Sequence, residues 1–290
     1  MMKLAFFFLK ICAKLPYRIR YGIAVILGWL AYYLVTPRRK VGETNLRLCF
    51  PEKDEAWRCH LLKQHFRHMA LMILDYGICW YGSDQQLKNA VRYQDKHYLD
   101  DALNNGEKVI LLYPHFTCLE MGVGALNQDV PFISIYSHQK NKELDEQLLR
   151  GRQRFNNTFL IGRTESLRII IKQIKISDAP FLYLPDQDFG AKDSVFAPFF
   201  GVPTATITGL SRIAKLTQAS VIPMIPKRQP DGSIIMQFYP KWLDFPSQDL
   251  LADATRMNQF IEQRIREVPE QYYWLHKRFK TRPEGEPSVY

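Results

Sequence analysis

The sequence predicts an α/β fold: a mostly parallel central sheet covered by helices on both faces, behind an N-terminal membrane-binding helical segment. Two observations carry the α/β part. From Lys108 onward, strand-like and helix-like segments alternate, the order that builds a parallel sheet with helical cover. Val109–Tyr113 is a continuous apolar run closed by Pro114, as a buried strand reads. The third observation is compositional, because the first forty residues differ from the rest. No internal repeat or low-complexity linker appears, so the simplest division is residues 1–37 as a membrane anchor or monotopic hairpin and residues 38–290 as one globular domain.

At the N-terminus, Leu4–Leu15 carries Phe6, Phe7, Phe8, Leu9 and Ile11, while Lys3, Lys10 and Lys14 form a narrow stripe on a helical wheel. That pattern suits a helix lying in the plane of a membrane interface. Tyr21–Val35 is free of charge, bracketed by Arg18 and Arg20 before it and Arg38, Arg39 and Lys40 after it. Its helix would be about 22 Å long, short of the roughly 30 Å hydrocarbon core, which favours an anchor over a span. Lys10 and Lys14 interrupt any signal-peptide core and no A-x-A site follows. A core helix is the competing structural reading.

Glu55–Tyr81 has helical periodicity and holds His60, His65 and His68. His60 and His65 fall about 140° apart on a helix, so the three cannot share a face and no metal site is expected. After Val109–Tyr113 come a helix near Thr117–Leu126, strand Phe132–Tyr136, a helix near Glu143–Phe155 and a short apolar piece, Phe159–Ile161. Helix Leu167–Ile176, strand Phe181–Leu184 and helix Thr208–Leu216 follow. Strands Val221–Ile225 and Ile234–Tyr239, separated by Pro230-Asp231-Gly232, predict a hairpin. Leu250–Val268 reads as a long closing helix.

Lys and Arg total 39 against 29 Asp and Glu, a net charge of +10. Such a surplus suits anionic lipid, nucleic acid or an acidic protein. The aromatics sit among apolar neighbours with no strand-borne stacking motif, which argues against nucleic acid. Five cysteines without C-x-x-C spacing argue against a disulfide framework or structural zinc and favour a reducing compartment.

The chemistry is expected at His115, in the turn after the first buried strand. Ligands of α/β folds bind at strand C-terminal ends, where helix N–H groups stabilise developing negative charge. Glu120 is placed to meet His115 and hold one ring nitrogen while the other takes a proton. Thr117-Cys118-Leu119-Glu120 equally fits the S/T-x-x-E capping box, which would turn Glu120 toward backbone. Arg150, Arg152 and Arg154, with Arg163 and Arg168 beyond, form a basic patch suited to bidentate phosphate contact, or a solvated helix face. The carboxylates of Pro185-Asp186-Gln187-Asp188-Phe189-Gly190 suit an arginine or a backbone turn. Val195–Gly209, rich in Phe and Pro, reads as the wall of an apolar tunnel.

Taken together, these blocks make the chain resemble the bacterial lipid A late acyltransferases, the lauroyl/myristoyl transferase family within the wider glycerolipid acyltransferase superfamily. The resemblance runs from Arg38-Arg39, Asn45-Leu46 and Cys49-Phe50-Pro51 through His115-x4-Glu120 and Gly151-Arg152 with Arg154. It continues through residues 185–190 and Phe199-Phe200-Gly201-Val202-Pro203-Thr204-Ala205-Thr206 to the tail Pro269–Pro283. His-x4-Glu alone is a weak signal; all the blocks in order are a specific one.

The resemblance implies transfer of a fatty acyl chain from an acyl carrier protein thioester to the hydroxyl of a 3-hydroxyacyl chain on a lipid A precursor. It implies the bacterial inner membrane, with the site on the cytoplasmic side, and no metal or organic cofactor. His115 would be general base, Glu120 its partner, Arg152 and Arg163 contacts to phosphate or oxyanion, and Asp186 the holder of one arginine. A glycerophosphate or lysophospholipid acyltransferase shares the His-x4-Asp/Glu pair and is the nearest alternative; a non-catalytic basic peripheral membrane protein is a second.

Overall fold

The computed structural model describes residues 2–156 and 158–290. The chain begins with α1 (Met2–Cys12), α2 (Tyr17–Leu34), α3 (Thr36–Cys49) and the long α4 (Glu55–Tyr81), then short α5 (Asp84–Ala90), β1 (Val91–Gln94) and α6 (His97–Asn104). The α/β part follows as β2 (Val109–Leu112), α7 (Leu119–Asp129), β3 (Ile133–Tyr136), α8 (Lys142–Arg152), β4 (Phe159–Gly162), α9 (Leu167–Ile176) and β5 (Phe181–Tyr183). A separate hairpin, β6 (Ser194–Phe199) and β7 (Val202–Ile207), precedes α10 (Gly209–Thr217), β8 (Ser220–Arg228), β9 (Ile234–Phe238) and α11 (Leu250–Glu267).

Seven strands form one sheet in the order β1-β9-β8-β2-β5-β3-β4, parallel except for the β8–β9 hairpin. The mostly parallel sheet and the hairpin agree with the sequence reading. Strand β1 escapes it, because only Val91 of its four residues is buried and the run has no apolar block. In β2 the alternation of side chains separates two cores. Ile110 and Leu112 join Phe181, Tyr183 and Leu210 on one face; Val109, Leu111 and Tyr113 join Leu182, Met121 and Leu126 on the other. Burial on both faces explains the unbroken apolar run.

The N-terminal helices pack onto α4, where Leu9, Cys12 and Ala24 meet Ala70, Leu71 and Leu74. Glycine permits the approach: a Cβ at Gly28 would lie 2.6 Å from Arg67 Cα, and one at Gly77 would lie 2.3 Å from the Leu9 carbonyl oxygen. Helix α2 starts earlier than the charge-free run, so Arg20 lies inside it. Arg20 is buried and donates to Asp75 of α4 at 2.5 Å, so it is an internal ion-pair member and not the flanking interfacial charge the sequence suggested. Leu4, Phe7, Phe8, Ile19, Ile26 and Trp29 remain exposed. No single described helix is long and apolar enough to cross a membrane, although α2 and α3, bent by 90° at their junction, pass together by length and composition.

Val195–Gly209 contributes Phe199 to the lining of a small cavity beside His115 and Asp186. It forms the β6–β7 hairpin, with Ala197, Phe199, Thr204, Ala205 and Thr206 buried. Asn258 of α11 and Arg278 of the tail both bond to it, through Pro198 O and Ala205 O. Phe199 is enclosed in this packing, whereas Phe196, Pro198 and Pro203 stay exposed.

Candidate active site

Strands β2 and β5 are parallel neighbours with Leu112 opposite Tyr183. Three residues beyond each partner the chain reaches His115 and Asp186, so register alone brings them together at the C-terminal edge of the sheet. Asp186 accepts the backbone N–H of His115 at 2.9 Å on one carboxylate oxygen and faces Nδ1 at 2.7 Å with the other. A carboxylate only accepts, so Nδ1 carries the proton and Nε2 presents its lone pair. The Gln187 amide nitrogen lies 3.2 Å from Nε2, consistent with that tautomer. Burial alone would push Asp186 up, but the His115 imidazole and its two hydrogen bonds hold the carboxyl below its ordinary value.

Glu120 stands elsewhere. Helix α7 begins at Leu119 with no side-chain cap, and buried Thr117 Oγ1 has no partner among the described residues, so the capping box does not form. The Glu120 carboxylate pairs instead with the Arg152 guanidinium, in a short contact to Nη2 and a longer one of 3.4 Å to Nε. This corrects two expectations. The carboxylate on His115 is Asp186, not Glu120, and the holder of an arginine is Glu120, not Asp186. The physical reason is the turn: His115 leaves the strand edge toward β5, while Glu120 sits in the first turn of α7 facing the end of α8. Burial would lower the Arg152 pKa, but Glu120 overcomes it and the group is held charged.

Backbone N–H groups of the turn between His115 and α7 are already paired. The N–H groups of Phe116, Thr117 and Leu119 bond to carbonyls of Pro114, Gln271 and Phe116. Arg154 donates to the carbonyls of Cys79 and Gly82 at the end of α4 and to Asp84, a C-terminal cap on a helix dipole. Arg163, at the end of β4, is exposed with its guanidinium 4.7 Å from the Phe189 ring centroid. Asp188 holds a turn, accepting from Gly190 N, Thr281 N and Thr281 Oγ1.

His115, Gln187 and Arg152 line one chamber of about 500 Å³. Its apolar walls come from three helices, with Phe6 and Leu9 on α1, Ile73 and Trp80 on α4, and Leu144 and Leu148 on α8. The N-terminal helix is thus part of the site's wall, a placement sequence periodicity does not reveal. What did hint at Asp186 was its position, three residues after a strand, like His115.

A carboxylate-oriented imidazole, sharing an apolar chamber with an arginine, is an arrangement suited to proton transfer next to a hydrocarbon-like ligand. The comparisons supply the particular family: the chain belongs to the bacterial lipid A biosynthesis acyltransferases, whose family description matches residues 1–281. It is 34% identical to the lipid A biosynthesis lauroyltransferase of Escherichia coli (strain K12), covering 97% of this chain and 92% of that protein. It is 37% identical to a lipid A biosynthesis acyltransferase of Haemophilus influenzae, over 95% of this chain and 89% of that one. A solved 1-acyl-sn-glycerophosphate acyltransferase from Thermotoga maritima overlaps 86% of this chain and 97% of its own at TM-score 0.43 and 11% identity, too distant to bear on the site.

Proposed function

We propose that this enzyme transfers a fatty acyl group from an acyl carrier protein thioester to the hydroxyl of a 3-hydroxyacyl chain on a lipid A precursor, in lipopolysaccharide synthesis. One observation carries the chemistry: the Asp186–His115 pair presents an Nε2 lone pair to the apolar chamber. An alcohol is a poor nucleophile near neutral pH, so His115 removes its proton as oxygen attacks the thioester carbonyl. Asp186 stabilises the imidazolium that forms. When the C–S bond breaks, the proton passes to the departing thiolate, leaving an ester and the free carrier thiol. Arg152, positioned by Glu120, supplies positive charge to the same chamber for the oxyanion or an acceptor phosphate. Arg163 is reserved for a peripheral phosphate contact. Gln187 leaves Nε2 when the acceptor hydroxyl arrives.

The donor's acyl chain occupies the space between α1, α4 and α8. The exposed apolar residues of α1 and α2 hold residues 1–37 in the interface of the inner membrane, with the site open to the cytoplasm where the acidic carrier docks on a basic surface. The decisive assay incubates purified protein with an acyl carrier protein thioester and a lipid A precursor and reads the acceptor by mass spectrometry. One added acyl group in wild type and a 10²–10⁴-fold slower gain in His115→Ala support the reading. Equal transfer by the variant sinks it, and transfer only to a lysophosphatidic acid acceptor sinks the choice of acceptor.

A further inference from the structure

We propose that the chain carries a second, non-catalytic site, a basic cleft between α2, α4 and the β8–β9 turn that takes the phosphate of a membrane lipid headgroup. The cleft measures about 400 Å³ and is lined by Arg18, Tyr21, Arg67, His68, Arg228 and Glu270 among others. It is distinct from the chamber at His115 and shares no lining residue with it.

Its charge is unbalanced. Arg228 and Arg20 both bond to Asp75, so one carboxylate answers two buried guanidinium groups. Arg18 and Arg67 form no hydrogen bond or ion pair among the described residues; Arg67 only stacks on Tyr21, with 5.3 Å from its guanidinium carbon to the ring centroid. Glu270 is the single opposing carboxylate in the lining. His68 is kept uncharged by burial, with its pKa lowered to about 3, so it adds a neutral ring and no further charge. Within the lining, three guanidinium groups stand against one carboxylate, a balance that favours an anion, and free guanidinium forks match phosphate oxygens in pairs.

Its position selects a lipid as the source. On α2, Arg18 shares a helical face with Val25 and Trp29, both exposed. Neighbouring Ile19 and Ile26 are exposed as well. The cleft therefore opens where an uncovered apolar helix face ends in arginine, the arrangement that seats acyl chains on one side and a headgroup phosphate on the other. Gln271, also in the lining, connects the cleft to the strand-end turn: its carbonyl accepts Thr117 N at 2.8 Å, and its side chain bonds both backbone groups of Arg228. The inference stands apart from the acyl-transfer reading, since it needs neither His115 nor a thioester.

The test is titration of full-length protein in nonionic detergent with short-chain dihexanoyl phosphatidic acid, followed by calorimetry. Dihexanoylglycerol and inorganic phosphate are the comparison ligands. Arg18→Gln leaves the fold intact because the side chain is exposed, and Arg18→Gln/Arg67→Gln removes both unpaired charges. Each lost charge should weaken binding of the lipid phosphate roughly fivefold, about thirtyfold for the pair, from the ~1 kcal/mol a basic residue contributes beside an anionic headgroup. Dihexanoylglycerol should not bind at this site, and inorganic phosphate should bind more weakly with the same dependence on Arg18. Unchanged affinity in Arg18→Gln, absence of saturable lipid-phosphate binding, or inorganic phosphate binding as tightly as the lipid would each overturn the proposal. Because acyl transfer is measured separately, failure of this site and failure of the catalytic reading give different results.

Discussion

Replacing Asp186 by Asn tests the catalytic pair most directly. The carboxylate meets two donors of His115, the backbone N–H at 2.9 Å and Nδ1 at 2.7 Å. A carboxamide accepts on one side only, so its NH₂ would face a donor. Either the turn opens or the ring adopts the other tautomer, placing the proton on Nε2 where the base must be free. The lost charge sets a floor on the effect. Carboxylate and imidazolium centres about 4 Å apart attract by about 4 kcal/mol at an effective dielectric constant of about 20. About a quarter of the His115 side chain reaches solvent while Asp186 is enclosed, which screens this to about 3 kcal/mol. At 1.4 kcal/mol per tenfold, kcat should fall by 10²–10³ with KM little changed. The assay is transfer from acyl carrier protein thioester under saturating acceptor, with thermal melting to check the fold. A variant melting like wild type and turning over within fivefold of it would refute the assignment of Asp186 as the group that orients His115.

Three further outcomes are expected. Gln187→Ala removes a competitor for the Nε2 lone pair worth about 1 kcal/mol, so kcat/KM should rise up to about fivefold; a tenfold loss would mean that the amide binds substrate instead. Glu120→Gln or Arg152→Gln alone strands its partner, whose side chain is 25% exposed for Arg152 and 10% for Glu120. Each should cost about 2–3 kcal/mol of stability, below the range for a fully enclosed pair, and the double variant should recover most of it in denaturant titrations. Acid stability should be governed by buried histidines: His65, desolvated though it donates Nδ1–H to Glu270 O, is lowered to about 4. The unfolded ring binds a proton near pH 6.5 and the folded one does not, so stability is full above pH 6.5 and is lost as pH falls toward 4. The contribution is about 3 kcal/mol, and a His65→Phe variant with the same slope in this window would contradict it.

Much of this site is written in the sequence once strand pairing is known. His115 and Asp186 each stand three residues past paired strand residues, so β2–β5 adjacency suffices to join them. That adjacency is not local information, and without it the nearer Glu120 looks like the partner. Periodicity exposed the buried strands because their apolar runs are unbroken, and it missed β1 because three of its four residues are not buried. The Phe and Pro content of residues 195–209 signalled burial only in part: Phe199 is enclosed and lines a small cavity beside His115, while Phe196, Pro198 and Pro203 lie exposed on the hairpin. Nor does composition tell that α1, with its exposed Phe7 and Phe8, turns Phe6 and Leu9 toward the chamber. One helix with a narrow lysine stripe can serve both surfaces.

The Glu120–Arg152 pair has its own logic, which explains why a carboxylate five residues after His115 need not touch it. Glu120 lies in the first turn of α7, and Arg152 is the last residue of α8. An acid at a helix start and a base at a helix end each sit favourably in their own helix dipole, by about 0.3–1 kcal/mol. Their mutual attraction comes on top of that and fastens the start of α7 to the end of α8. The same bond fixes where a permanent positive charge stands relative to the imidazole, since both groups line one cavity. A role of this contact in fold stability and a role in transition-state charge are separable by experiment. A Glu120→Gln/Arg152→Gln enzyme that regains its melting temperature yet stays slow would show the guanidinium acting on the reaction. One that regains turnover as well would reduce the pair to a fastener.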